Sequence, residues 1–284
     1  MNKAIRVLCL AAIFAFIAFP HKTQACTLWA GAGDSIAGGG TIISKNRDWR
    51  PDHQQEIRLI STGQYRFISL YAVGNDAYGT KQGINEKGLC IVSAAAPKAL
   101  RNGEKQGNML NLRTLLASYD SVETAINELQ AGIWTHSPDY LMLADGKEIA
   151  CVEFGINGSF AILSRVSAGT VFHTNHYISP EFAELNPEKY ANNQARYAQI
   201  KEFLAPPKSF SVEDFRQYSL DPVLWREGTT PVSTRTLSSW IVREYPDGTG
   251  TLYLRMANPG KPVKECEFAL SELFNGSIDL STIE

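Results

Sequence analysis

The stretch CTLWAGAGDSIAGGGTIISKNRD, residues 26–48, decides how the chain is read. Residues 26–30 read as a strand, 31–40 as a glycine-rich turn and 41–47 as a second strand. A hairpin folded about Ala37 sets position 48 opposite position 26, with a slip of one or two residues left open. In either register Arg47 and Asp48 return close to Cys26.

What precedes Cys26 gives that cysteine its interest. Lys3 and Arg6 supply a positive start, and the apolar run 7–19 is too short to span a bilayer with ease. Pro20 ends the run, and Thr23-Gln24-Ala25 puts small residues where a signal peptidase cuts. Residues 1–25 therefore read as a cleavable secretory signal, and the expected location is periplasmic or secreted, with no membrane anchor after cleavage. Cys26 would open a mature chain of 259 residues, 26–284, the size of one domain. Losing Lys3, Arg6 and Lys22 leaves 24 basic residues against 29 acidic, a net charge of −5. Such a surface has no reason to seek nucleic acid or anionic lipid. Cys90, Cys151 and Cys266 remain besides Cys26, too few and too widely spaced for a disulfide framework.

Beyond the hairpin, strands are expected at 56–62, 65–73 and 90–94, with a turn at 83–88. Helices are expected at 110–118 and from 120 onward, the second capped by Asp120 with Glu123 completing a capping box. Residues 140–143 and 149–154 form a further hairpin, helices fit 188–204 and 212–218, and strands at 237–242 and 251–256 follow. Strands, then helices, then strands joined by tight turns indicate an α+β layered fold with largely antiparallel sheets.

A cysteine that opens a chain holds a thiol and an α-amine, of pKa about 8, on one residue. The amine can take the thiol proton directly or through a water, so no histidine is needed. A neighbouring cation favours thiolate, a carboxylate orients the amine, and Lys45, Arg47 and Asp48 are what the hairpin delivers. The competing fate of a cysteine after a signal is lipidation, which leaves neither thiol nor amine free. That pathway prefers Leu at the third position before the cysteine, where this chain has Thr23.

Cys26-Thr27, the hairpin and Lys45-Asn46-Arg47-Asp48-Trp49 resemble the opening of the N-terminal-nucleophile amide hydrolases. The branch is that of choloylglycine (bile salt) hydrolases, penicillin V acylases and acyl-CoA:6-aminopenicillanic acid acyltransferases. The resemblance runs on through Gly83-Ile84-Asn85-Glu86-Lys87-Gly88-Leu89, the helix at Asp120, the hairpin at 143–153 and Thr174-Asn175-His176. It implies an αββα four-layer sandwich, cysteine-dependent cleavage or transfer at a linear amide of a small N-acyl substrate, and neither metal nor cofactor. By the same resemblance Cys26 is the nucleophile, Asp48 holds its amine, and Asn175 faces the tetrahedral oxyanion, a placement worth about 3 kcal/mol of barrier. Lys45 stands where the family has an arginine, and Arg47, on the same strand face, competes with it. Ala95 replaces a second asparagine, leaving a backbone N–H as the other oxyanion donor. Arg235, in Ser233-Thr234-Arg235-Thr236, matches the last catalytic arginine. Bile salts, penicillin V, acyl-homoserine lactones and N-acyl amino acids all stay open as substrates, as does a homo-oligomer.

Other motifs carry less. Gly33-Asp34-Ser35-Ile36 looks like an esterase serine motif, but 108 residues follow the last histidine, His176, so its base is missing. His173 and His176 lack a third metal ligand. Cys90 and Cys151 read as buried small residues. Tyr65, Tyr71, Tyr78, Trp134 and Trp49 read mainly as core or rim aromatics.

Overall fold

The computed structural model of the chain describes residues 25–74, 78–102, 108–187, 191–205 and 208–283. The leader reading of 1–24 and the first residues of the helix expected from 188 lie outside the described residues.

The opening hairpin forms. Strand β1 (Thr27–Ala32) pairs antiparallel with β2 (Thr41–Trp49), Thr27 facing Asn46 and Ala32 facing Thr41. That register is one residue tighter than a fold about Ala37, so the position of Cys26 projects onto Arg47 rather than Asp48. The turn owes its shape to Gly38, Gly39 and Gly40, all at positive φ. At Gly40 (φ 71°) an added Cβ would lie 2.2 Å from the Glu244 carbonyl oxygen. Gly40→Ala should therefore cost about 2 kcal/mol or more, from left-handed backbone strain plus a clash with main chain. In a domain of this size thermal unfolding should read that as a fall of roughly 4 °C or more.

Around the hairpin the remaining strands, numbered along the chain, complete two sheets. The first has the order β10-β1-β2-β11-β12-β13, adding β10 (Gly169–His173), β11 (Arg235–Glu244), β12 (Gly250–Met256) and β13 (Lys264–Ala269). The second runs β3 (His53–Ile60), β4 (Phe67–Gly74), β5 (Gly79–Asn85), β6 (Cys90–Ala95), β7 (Asp139–Ala144), β8 (Ile149–Phe154) and β9 (Phe160–Val166) in chain order. Every neighbouring pair is antiparallel.

Alternation along each strand sorts side chains into layers. Leu28, Ala30 and Ala32 of β1 point between the sheets, where they meet Ile68, Val92 and Met142 in one core. Trp29 points the other way, into a second core built with Ile200, Leu204 and Phe215 of α3 (Ala191–Leu204) and α4 (Val212–Ser219). On the far face of the other sheet, α1 (Leu112–Ser118) and α2 (Val122–Gln130) pack Leu115, Ile126 and Leu129 against Ile91, Leu141 and Val152. The result is an α+β, four-layer αββα sandwich. With both faces of β1 covered, all six of its residues are buried.

Four details differ from the sequence reading. Ser121, not Asp120, caps α2 by accepting from Thr124 N–H, while Asp120 accepts from the Ser121 and Thr124 hydroxyls. Residues 83–85 finish β5, leaving the turn to 86–88. Strands β5, β9, β10 and β13 were not anticipated, nor was the short helix α5 (Leu270–Asn275). In β9 all seven residues are half-buried, so no apolar alternation marks it.

Candidate active site

Strand β2 brings the chemistry together because it lies in the middle of its sheet, between β1 and β11. Lys45 and Arg47 share the inner face with Ile43, whereas Asn46 and Asp48 face the α3–α4 layer. Cys26, just ahead of β1, is 6% exposed and belongs to the inter-sheet core. Its Sγ lies 3.9 Å from the Asp48 backbone oxygen.

A cavity of about 440 Å³ opens beside Cys26. It exists because β5 and β6 part company. Their ladder runs from Ile84↔Cys90 to Gln82↔Val92 and is not continued, while a bulge against β4 leaves Lys81 as an extra residue on β5. Gly79, Thr80 and Lys81 form one lip of the gap and Ser93 and Ala95 the other. Cys26, Lys45, Arg47 and Trp49 make the floor, with Tyr71, Tyr78, Arg113, His136 and Asp139 around it.

Each cation is anchored away from the sulfur. Lys45 Nζ donates to the Lys81 carbonyl at 2.7 Å, and burial pulls its pKa down to about 8, opposed by the negative charge of a Cys26 thiolate. Arg47 Nη1 donates to Gln55 Oε1 at 3.2 Å and its guanidinium lies 5.6 Å from the Trp49 ring centre. Burial lowers Arg47 to about 10, against the opposing pull of Cys26 and Asp48. Both stay charged at neutral pH. Lys45 and Arg47 thus both reach the cavity.

Asp48 is fully buried on the opposite face of the strand. Thr236 Oγ1 donates to its Oδ1 at 2.7 Å, while Oδ2 has no hydrogen-bond partner among the described residues. Burial lifts the carboxyl to about 6, although Arg196, the Thr236 hydroxyl, Arg226 and Arg47 all pull it down. A buried carboxylate oxygen without a donor is a place for a cationic hydrogen-bond donor to dock.

Asn175 follows β10, in a loop that Glu153 holds. Glu153 accepts from His173 Nε2 at 2.9 Å and from the backbone N–H of Ile178 and Ser179 at 2.6 and 3.1 Å. His173 is thereby a buried structural partner, and among the described residues no group of three or more candidate ligands could hold a metal. Asn175 Nδ2 donates to the Ala95 carbonyl at 2.9 Å, on the cavity lip. Arg235 does not join the cavity lining. It opens β11 opposite Trp49, and its Nη2 donates to the Thr230 carbonyl at 3.1 Å.

Sequence reasoning passed over Arg196. From α3 its Nη1 donates to the Cys26 carbonyl and, at 2.7 Å, to Thr27 Oγ1, and its Nη2 to Asn193 Oδ1 at 2.8 Å and Asn175 Oδ1 at 3.3 Å. The available signal was spacing: Asn192, Asn193 and Arg196 fall three and four apart, on one helix face. The remaining cysteines fit their expected role. Cys90 and Cys151 are free, fully buried thiols, and burial pushes their pKa well above the ordinary thiol range. Ser35 is no nucleophile in a triad. It lies in a surface turn, its backbone oxygen accepting from Phe210 N–H at 2.8 Å.

Comparison with known proteins agrees with this fold. A conjugated bile acid hydrolase from Clostridium perfringens superposes with a TM-score of 0.54 at 13% identity, covering 86% of this chain and 97% of that one. An N-acylethanolamine-hydrolyzing acid amidase ortholog from Caenorhabditis elegans superposes with a TM-score of 0.51 at 14% identity, covering 78% and 95%. At such identities the likeness concerns the fold. A search of curated protein sequences gave no match. Residues 36–261 match the family model described as acyl-coenzyme A:6-aminopenicillanic acid acyl-transferase, a span that begins after Cys26.

Proposed function

The chain belongs to the acyl-coenzyme A:6-aminopenicillanic acid acyl-transferase family, and from that premise we propose that it is an exported hydrolase of linear amides whose nucleophile is Cys26. One observation carries the reading: Cys26, Lys45 and Arg47 meet at the floor of one cavity, while Asp48 stands behind them with a buried oxygen that has no donor among the described residues. Once residues 1–25 are removed, the new α-ammonium of Cys26 supplies that donor.

The α-amine takes the Cys26 proton, and the thiolate attacks the amide carbonyl carbon to form a C–S bond. The tetrahedral oxyanion is held by Asn175, whose amide nitrogen has two hydrogens and commits one to Ala95, and by a backbone N–H of the cavity lip. The oxyanion collapses, the C–N bond breaks, and the α-ammonium returns its proton to the departing nitrogen. Water, deprotonated by the same amine, then attacks the acyl-thioester and releases a carboxylic acid and the free thiol. Lys45 and Arg47 favour the thiolate. With Lys45, Arg47, Lys81 and Arg113 against one carboxylate, Asp139, among the described lining residues, the cavity favours a substrate that carries an acid.

Asn175→Ala should lower kcat by about 10²-fold with KM little changed, because the donor acts on charge that develops only in the transition state. Steady-state kinetics check this. The function itself is tested by offering the exported protein a panel of acid-bearing N-acyl amides and measuring the released acid and amine. Absence of turnover across the panel contradicts the proposal. The family description favours transfer as a second reading. Adding a competing amine tests it: acyl-amide formed faster than free acid identifies a transferase.

A further inference from the structure

We propose that Arg196 is the positioning residue of this site, fixing both where the nucleophile's backbone lies and which end of the Asn175 amide is turned toward Ala95 on the cavity lip. The proposal rests on the cysteine-amidase reading above. A guanidinium only donates hydrogen bonds, and an asparagine side chain offers one accepting and one donating end. With Arg196 Nη2 3.3 Å from the side-chain oxygen of Asn175, that oxygen is held toward α3. The NH₂ end must then point the other way, toward Ala95 on the cavity lip, where it is found. The wrong orientation would turn the oxygen to the oxyanion and set an NH₂ against a buried cation.

The same side chain does a second task. Chain ends fray unless tied down, and a nucleophile on the first residue of a processed chain has no preceding residues to hold it. Arg196 Nη1 donates to the Cys26 carbonyl and to Thr27 Oγ1, clamping the first two residues from the face opposite the cavity. The fork that reaches Cys26 with one nitrogen and Asn175 with the other therefore sets the distance between nucleophile and oxyanion donor. Asn193 steadies the fork and also donates from Nδ2 to the Asn175 carbonyl at 2.8 Å. Asn192 Oδ1 accepts from Nε at 3.2 Å. Lysine, a point charge on a flexible stem, cannot make these bonds at once.

The charge matters as well. Asp48 faces Arg196 from α3, Arg226 from the segment before β11, Arg47 beside it on β2 and the Thr236 hydroxyl on β11, and Arg196 gives the strongest charge effect holding it ionised. Arg196 itself, lowered by burial to about 10, keeps its proton at neutral pH.

The test compares R196K and R196Q with the parent exported protein. Three readouts are taken: thermal unfolding, iodoacetamide alkylation of Cys26, and pH-resolved kcat and KM on an amide the parent cleaves. R196K keeps charge and loses the fork, so kcat should fall by about 10-fold or more with KM within about threefold and the acid limb unmoved. R196Q should in addition move the acid limb upward by roughly one pH unit, because Asp48 loses the cation with the strongest hold on it. A folded R196K with parental kcat, or one altered in KM alone, overturns the proposal. R196K carries the test should R196Q not fold. If the parent cleaves no amide, the amidase reading fails by itself. Alkylation then decides for Arg196, with a rate lowered severalfold in R196Q, or in R196K if R196Q does not fold, supporting it and an unchanged rate overturning it.

Discussion

Replacing Cys26 by serine should leave an exported, folded protein whose amide turnover falls by roughly 10³-fold or more. The size of the effect comes from acid–base matching. An α-amine of pKa about 8 shares a proton readily with a thiol near 8.5, and an aliphatic alcohol is far too weak an acid to do so. Losses of that order follow when the attacking atom of a covalent mechanism is removed. Folding should survive because the exchange is nearly isosteric, and an oxygen at the Sγ position, 3.9 Å from the Asp48 carbonyl, has an acceptor within a small adjustment. Melting temperature and far-UV spectrum should match the parent. Undiminished turnover in Cys26→Ser ends the assignment.

Asp48→Asn should separate stability from activity. The buried carboxyl is lifted from an ordinary 3.8 to about 6, so the fold favours its neutral form. Its contribution to stability is full below pH about 4 and is lost as pH rises through about 6. A lift of that size corresponds to ionisation working against the fold at pH 7 by on the order of 3 kcal/mol. The Cys26 ammonium offsets part of this. Asparagine keeps an acceptor for Thr236 and removes the charge. The variant should therefore unfold no earlier than the parent at pH 7, and its advantage should close toward pH 4. Turnover should nevertheless fall by about 10²-fold, since a neutral amide no longer orients the ammonium, and the acid limb that Asp48 gives the parent, at or below about pH 6, should vanish. A variant that is both less stable and fully active contradicts this account of Asp48.

The hairpin that carries the site was readable because its signal is local: two apolar strands, a run of glycines, and charges at the far end. Its register falls within the slip left open, one residue tighter than a fold about Ala37, because the ladder closes at Ala32 and Thr41 around the positive-φ glycines of the turn. Lys45 and Arg47 on one face and Asp48 on the other followed from strand alternation alone. Arg196 stayed hidden because ANNQARYAQIKEFL looks like a solvated helix, and only the partner sheet reveals that its arginine is buried. Arg235, matched only through Ser233-Thr234-Arg235-Thr236, lies outside the cavity lining and opposite Trp49. The cavity was not legible either: it depends on β5 leaving β6, and on Lys81 as the extra residue.

Catalysis here requires one residue to present a reactive sulfur and a primary amine together. Intact mass of the exported protein, followed by iodoacetamide labelling and peptide mapping, tests it most directly. The exported chain should begin at an unmodified Cys26 and take the label there ahead of Cys90, Cys151 and Cys266. A different first residue, a diacylglycerol or other block on Cys26, or labelling that passes Cys26 by would contradict it.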